Sequence, residues 1–251
     1  MTRKKFRDCT DPVAMVEMIH GMVSSRKLRL YFCGGCRRLE HLIFDPKCRA
    51  ALEVIERDAD DLIDAEKREE AFQIARYDSD LTAWFYDYHD AETLHERFQY
   101  QPEFVRRLVE LGAVSDSVMR GEACTFNREV LNELITVGTP IHELASTDNQ
   151  LIVFQSAARS CRTPTWPGRW LKDCVFANPF RPVAIPLECH TSTAVAIARG
   201  IYDDRGFERM PILGDALEDA GCVQKDVQAH CRSAEPHVRG CWVVDQLLGY
   251  E

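Results

Sequence analysis

Pro236-His237-Val238-Arg239-Gly240-Cys241-Trp242-Val243-Val244-Asp245-Gln246-Leu247-Leu248-Gly249-Tyr250-Glu251 is the stretch whose reading decides the fold class. Val238, Cys241, Trp242, Asp245 and Leu248 recur at three-to-four spacing, which places them on one face of a helix. Gly249 is the residue type that ends helices in the left-handed conformation. The same signals run back along the chain. Thr191 or Ser192 can cap a helix carrying Val195, Ile197, Ala198 and Ile201, and Pro211 opens another with Ile212, Leu213 and Leu217 before Ala220-Gly221 stops it. Val223 to Cys231 reads as a short link between them.

The N-terminal part repeats the pattern. Thr10-Asp11-Pro12 combines a capping side chain with a proline where no hydrogen bond is lost, and Met15, Met18, Ile19 and Met22 follow as one apolar stripe. Leu28, Phe32, Cys36, Leu39 and Ile43 form a second stripe, ending near Asp45-Pro46. Leu52, Ile55, Ala59, Leu62 and Ile63 form a third. Helical patterns continue over 71–77, 81–100, 102–111, 128–137 and 148–160. Between 161 and 190 the pattern breaks: Pro164, Pro167, Pro179, Pro182 and Pro186 mark a long Pro-rich loop with room for short strands. No fixed-period repeat is present, which disfavours a solenoid. The expected architecture is mainly α, a multi-helix globular bundle in one unit over 1–251, subdivisible into 1–100, 101–190 and 191–251.

Composition narrows the function classes. At 251 residues, 45% hydrophobic and 28% charged, the chain has enough apolar material for a sizeable core. The net charge of −9 argues against nucleic acid as a partner, because that affinity rests on clustered Lys and Arg neutralising phosphates. No window approaches the roughly eighteen consecutive apolar residues of a membrane span. The basic start, Met1-Thr-Arg-Lys-Lys-Phe-Arg, runs into Asp8, Asp11 and Glu17 and not into an apolar signal region. A cytoplasmic protein is expected, and its 11 cysteines, scattered singly, read as reduced and mostly buried thiols.

Among motifs, Cys33-Gly34-Gly35-Cys36 is the sharpest: two thiolates separated by two small residues can chelate a metal ion or form a redox pair. His230, Cys231, His237 and Cys241 form a second half-site far away in sequence. Cys33, Cys36, His237 and Cys241 would complete a tetrahedral set. Buried structural thiols, structural zinc and a redox pair are the three readings of that motif. Asp87, His89, Asp90, Glu92, His95 and Glu96 offer enough ligands for a divalent metal but match no strong spacing rule and read first as a solvated helix face, and neither His95-Glu96 nor His142-Glu143 completes a zinc-protease motif. No phosphate-cradling loop, nucleophile elbow or kinase set is present, so no catalytic residue is assigned. Trp166, Arg169, Trp170, Phe180 and Arg181 are of the types that anchor interfaces. Together they make the best candidate surface for a protein partner, against the plainer reading that the aromatics pin the loop to the core.

Several stretches together resemble a multi-paralogue bacterial family of the planctomycete type. They are Cys9-Thr10-Asp11-Pro12, Arg26 to Arg38, Asn178-Pro179-Phe180-Arg181-Pro182, and Ala198 through Gly249 with its Pro-His-Val-Arg-Gly-Cys-Trp signature. The resemblance covers roughly the first fifty and last seventy-five residues. Similar proteins carry Ala and Cys where this chain has Gly34 and Gly35. No activity attaches to the family, so the resemblance implies none. The expectation is a non-enzymatic cytoplasmic adaptor or accessory protein, acting through protein–protein contact without a cofactor. The alternative is a zinc-binding protein, with the zinc structural, or a zinc- or cysteine-dependent enzyme using Cys33/Cys36 with His237/Cys241.

Overall fold

The computed structural model describes residues 6–38, 40, 46–70, 73, 99, 102–110, 113–122 and 168–250. Of these, 67% are helical and almost none are in strands, so the fold class is mainly α. In chain order the helices are α1 (Pro12–Ile19), α2 (Ser25–Arg38), α3 (Pro46–Ala59), α4 (Pro102–Glu110), α5 (Gly168–Val175), α6 (Ser192–Asp204), α7 (Met210–Asp219), α8 (Lys225–Cys231) and α9 (Trp242–Leu248). The chain divides into two compact units: residues 1–35 with 167–251, and residues 36–166. The helical patterns expected over 71–77, 81–100, 128–137 and 148–160 lie outside the described residues, apart from Gln73 and Gln99.

In the first unit, helix starts and stops follow local chemistry. Asp11 caps α1 by accepting from the Val13 N–H at 2.9 Å, with Pro12 in the first turn. Thr191 caps α6 by accepting from the Ala194 N–H at 3.2 Å. Gly249 ends α9 at φ 72°, a left-handed conformation that costs glycine little. The core forms where α6 packs on α7 and α9, and α7 packs on α8. Gly214 permits the last of these contacts, because a Cβ there would lie 2.9 Å from Cys231 Cβ.

Three segments depart from expectation. Residues 168–175, read as part of the Pro-rich loop, form α5. Pro167 stands just ahead of its first turn, where a missing N–H removes no intrahelical bond. Leu171, Cys174 and Val175 then bury one face. No residue from 176 to 190 is in a strand. The link over 223–231 contains α8, with Val227 and Cys231 buried one turn apart. The terminal helix starts only at Trp242. Gly240 at φ 87° and a Cys241 N–H bond to Val238 O at 3.0 Å make residues 238–241 a tight turn, so His237 and Cys241 are joined by a turn and not by helix.

Distant parts of this unit are tied by buried polar groups. Asp245, 1% exposed, accepts from Arg26 Nη1 at 2.7 Å and pairs with Lys27 Nζ at 2.6 Å. Arg26 also donates to Tyr202 Oη at 2.8 Å. Removing such charges from water costs several kcal/mol each, offset when every partner is in place. Gln246 works as a surrogate strand. Its Oε1 accepts from the Ile185 N–H, and its Nε2 donates to Val183 O, both at 2.9 Å. Lys172, 3% exposed, donates to the carbonyls of Phe6 and Cys9 at 2.9 Å each, and to that of Arg7.

In the second unit, α3 buries Ala51, Leu52, Ile55 and Ala59. Arg37 binds Glu56 through Nε and Nη2 at 3.1 and 3.0 Å. Its guanidinium is held above its ordinary range: burial works against the charge, and the Glu56 and Glu40 carboxylates outweigh it. Arg68 Nε donates to the buried Asp58 at 2.7 Å. α4 buries Val105 and Leu108, and the 3-10 turn Asp116–Arg120 ends at Gly121 with φ 71°.

Candidate metal centre

The turn 238–241 carries two potential ligands, and one face of α2 supports it. Lys27, Leu30 and Gly34 lie three and four residues apart, so they share that face. Lys27 Nζ donates to Gly240 O at 2.7 Å. A Cβ on Gly240 would lie 3.0 Å from Leu30 Cβ, and one on Gly34 would lie 2.9 Å from Val238 Cγ2. The glycine at position 34 is therefore there for close approach. It lets Val238, between His237 and Cys241, seat directly against the helix backbone.

Four side chains converge beside this turn: Cys174 from α5, His230 from α8, His237 from the loop and Cys241 at the N-cap of α9. Their ligand atoms all lie within 4.8 Å of one another. His230 Nε2 is 3.2 Å from Cys241 Sγ. His237 Nδ1 lies 3.6 Å from Cys174 Sγ and 4.0 Å from Cys241 Sγ. The imidazoles meet edge to face, with centroids 4.7 Å apart, and the Trp242 ring covers His230 at 5.3 Å. A tetrahedral zinc ion with ordinary Zn–S and Zn–N bond lengths separates its ligand atoms by about 3.3–3.8 Å. The observed spacings, 3.2, 3.6 and 4.0 Å, bracket that range. His237 Nε2 is buried without a hydrogen-bond partner, which fixes no competing role for this ring in the core.

The electrostatics favour a cation. Burial pushes the Cys241 thiol up, but its hydrogen bond with Cys174 and the His230 and His237 imidazoles outweigh this and hold it well below its ordinary range. Burial, the hydrogen bond to Cys241 and the charge on that sulfur raise Cys174 well above its own. Cys241 is thus the sulfur of the pair that gives up its proton first. A bound dication would draw the second proton off, as metal binding to thiols does. Cys231 stays out of the set, and burial followed by the charges of Cys241 and Cys222 pushes it up to about 12.

His230 and Trp242 also border a cavity of about 260 Å³, lined further by Arg7, Asp173, Arg181 and Asp226. Of the four side chains, His230 is the one that lines it. No family model, curated protein or solved structure matches the chain.

Of the four metal ligands expected from sequence, the structure brings His237 and Cys241 together and gives them Cys174 and His230 as companions. Cys33 and Cys36 are fully buried on α2 and are not members of this set. Burial pushes Cys36 up to about 12. His230 stood in the sequence half-site, so its signal was present. Cys174 had none, because only the chain fold brings α5 to that place. Among the residues expected to meet a partner, Trp166 and the side chains of Arg169 and Trp170 lie outside the described residues. Phe180 is half-buried, its ring 6.0 Å from that of Phe6, and Arg181 is exposed.

Proposed function

We propose that this chain is a non-enzymatic, zinc-stapled helical adaptor, in which Cys174, His230, His237 and Cys241 hold a structural Zn²⁺. The observation that carries the reading is the convergence of two thiols and two imidazoles within 4.8 Å from three separate segments of the chain. Two sulfur and two nitrogen donors are a zinc set. Four protein ligands saturate a tetrahedral ion, leaving no position for water or substrate, which supports a structural and not a catalytic role. The ion would clamp α5, α8 and the start of α9, while His230 presents its outer edge to the cavity.

The adaptor part of the reading places partner binding on the exposed Arg181 and the loop around it, with another protein as the partner and the cytoplasm as the setting. Among the described residues, no helix is long and apolar enough to cross a membrane. Metal analysis of the purified protein, with melting before and after chelation, tests the metal. About one equivalent of zinc and a lower melting midpoint after chelation are expected. Less than about a tenth of an equivalent, with no chelator effect, refutes it. Partner capture by wild type and by Arg181→Ala tests the surface, and unchanged recovery counts against it.

A further inference from the structure

A second cavity of the first unit, about 440 Å³, lies among the turn after α1, the segment that follows α5, and α9, and none of the four metal ligands lines it. Its walls are mostly apolar: Val23, Val175, Phe176, Pro179, Pro182 and Trp242. Small-molecule sites of about 300–1,000 Å³ combine such walls with a few placed polar groups. One wall is held in shape before any ligand arrives. Gln246 bonds to Val183 O and to the Ile185 N–H, both at 2.9 Å, and the two prolines have their φ fixed by the ring. A wall already ordered keeps the cost of binding low.

The polar groups at this cavity are unevenly used. Its charged side chains are Lys27 and Asp245. Asp245, 1% exposed, is shared by Arg26 and Lys27, so its charge is already met. The other side-chain oxygens are engaged too. Asn178 Oδ1 accepts from the Phe180 N–H at 3.0 Å, Gln246 Oε1 from Ile185, Ser24 Oγ from the Lys27 N–H at 3.3 Å, and Tyr250 Oη from Arg199 Nη1 at 2.7 Å. Donors are what remain. The Lys27 ammonium has three N–H groups, of which Gly240 O at 2.7 Å and Asp245 at 2.6 Å take two. Asn178 keeps its whole NH₂ end, and Trp242, 7% exposed, keeps its indole N–H. Neither group has a hydrogen-bond partner among the described residues.

We infer that this cavity binds a small organic carboxylate with an apolar body, the carboxylate meeting Lys27 and Asn178 and the body lying against the Phe176, Trp242 and proline walls. A carboxylate only accepts hydrogen bonds, which matches a lining whose spare capacity is in donors. Its bond to an ammonium is charge-assisted and stronger than one made by a neutral carbonyl. An amine would set N–H groups against N–H groups. The site goes beyond the zinc and adaptor reading, since none of its donors is a metal ligand. It still touches that reading at one point, because Lys27 also holds Gly240 of the metal turn.

Isothermal titration of the purified full chain with 2-naphthoate, 2-naphthamide and 2-naphthylmethylammonium tests the inference. The three probes share an apolar body and differ in the head group. The carboxylate should bind one to one with a dissociation constant of about 1 mM or tighter. The amide should bind at least about tenfold more weakly, and the ammonium without saturation. Asn178→Asp keeps an oxygen for the Phe180 N–H but exchanges the donor for an acceptor. It should melt as wild type does and weaken 2-naphthoate at least about tenfold, and Lys27→Met should weaken it as much. Asp226→Asn changes the smaller cavity alone and should leave the affinity within about twofold. Absence of saturable 2-naphthoate binding, equal affinity for carboxylate and amide, or wild-type affinity in folded Asn178→Asp or Lys27→Met each overturns the inference. So does a tenfold loss in Asp226→Asn, which would move the probe to the smaller cavity. The comparison of probes is made on wild type and stands even where a variant fails to fold. Zinc content is read separately, so a failed titration leaves the metal reading in place.

Discussion

Replacing Gly34 with alanine puts the support of the metal turn to a direct test. The added Cβ would lie 2.9, 3.1 and 3.2 Å from Val238 Cγ2, Cβ and Cγ1. Carbon atoms prefer about 3.5–4.0 Å, so Val238 must retreat by about 0.6–1 Å. The Val238 Cβ sits on a short, stiff side chain and cannot swing aside as a lysine would. Overpacking of this kind costs about 1–3 kcal/mol, against a gain of about 1 kcal/mol from putting alanine in a helix in place of glycine. The metal-free protein should thus lose only about 0–2 kcal/mol. The metal-bound protein should lose more, because His237 and Cys241 flank Val238, and ligand distances tolerate about 0.2 Å. Comparable disturbances of the groups that orient ligands lower metal affinity about 10–100-fold. The assay is zinc affinity by competition with a chromophoric chelator, together with urea unfolding of the zinc-bound and zinc-free protein. Gly200→Ala is the control, since its Cβ would meet only the guanidinium of Arg209, at 3.4 Å and beyond. An Gly34→Ala protein with unchanged zinc affinity and a zinc-bound stability equal to wild type would refute the reasoning.

Three further outcomes are expected. Cys174→Ser and Cys241→Ser should each bring zinc from one equivalent to below about a tenth, whereas Cys33→Ala and Cys36→Ala should keep it; elemental analysis of the purified variants distinguishes this set from the one built on Cys33 and Cys36. Asp245→Asn leaves Arg26 and Lys27 without their shared carboxylate, and should cost about 3–5 kcal/mol in urea unfolding. Lys172→Met removes the donor to the Phe6, Arg7 and Cys9 carbonyls, costs about 1–3 kcal/mol, and should speed proteolysis ahead of α1, which terminal sequencing of the fragments reads.

Elements governed by local chemistry were legible from residues alone. Asp11-Pro12, Thr191, Pro211 and Gly249 sit where helices start or stop, because caps and prolines act within one turn. α5 and α8 were not legible. Prolines on either side of α5 punctuate the chain strongly, and α8 shows only Val227 and Cys231 as its apolar stripe. The terminal helix, read from Val238 onward, starts only after Gly240, whose positive φ leaves no mark on the three-to-four spacing of the apolar residues. The site was half legible for the same reason. His237 and Cys241 are near in sequence, and so is His230, but Cys174 arrives through long-range packing. The tight Cys33-Gly34-Gly35-Cys36 spacing drew attention to its thiols, whereas Gly34 serves the turn and not a chelate.

The first unit is discontinuous in sequence, joined from residues 1–35 and 167–251, and Arg26 reaches Asp245 across a separation of 219 residues. Contacts so distant are slow to form, because closure entropy must be overcome before they contribute. As the chain is made, Arg26 and Lys27 of α2 precede Asp245, the carboxylate they share, by the whole of the intervening sequence. Cys241, near the end of that span, comes after Cys174, His230 and His237. On the zinc reading, capture must wait for Cys241, the last of the four ligands in chain order, and an ion shortage would leave the contacts of α2 with the turn 238–241 unsupported.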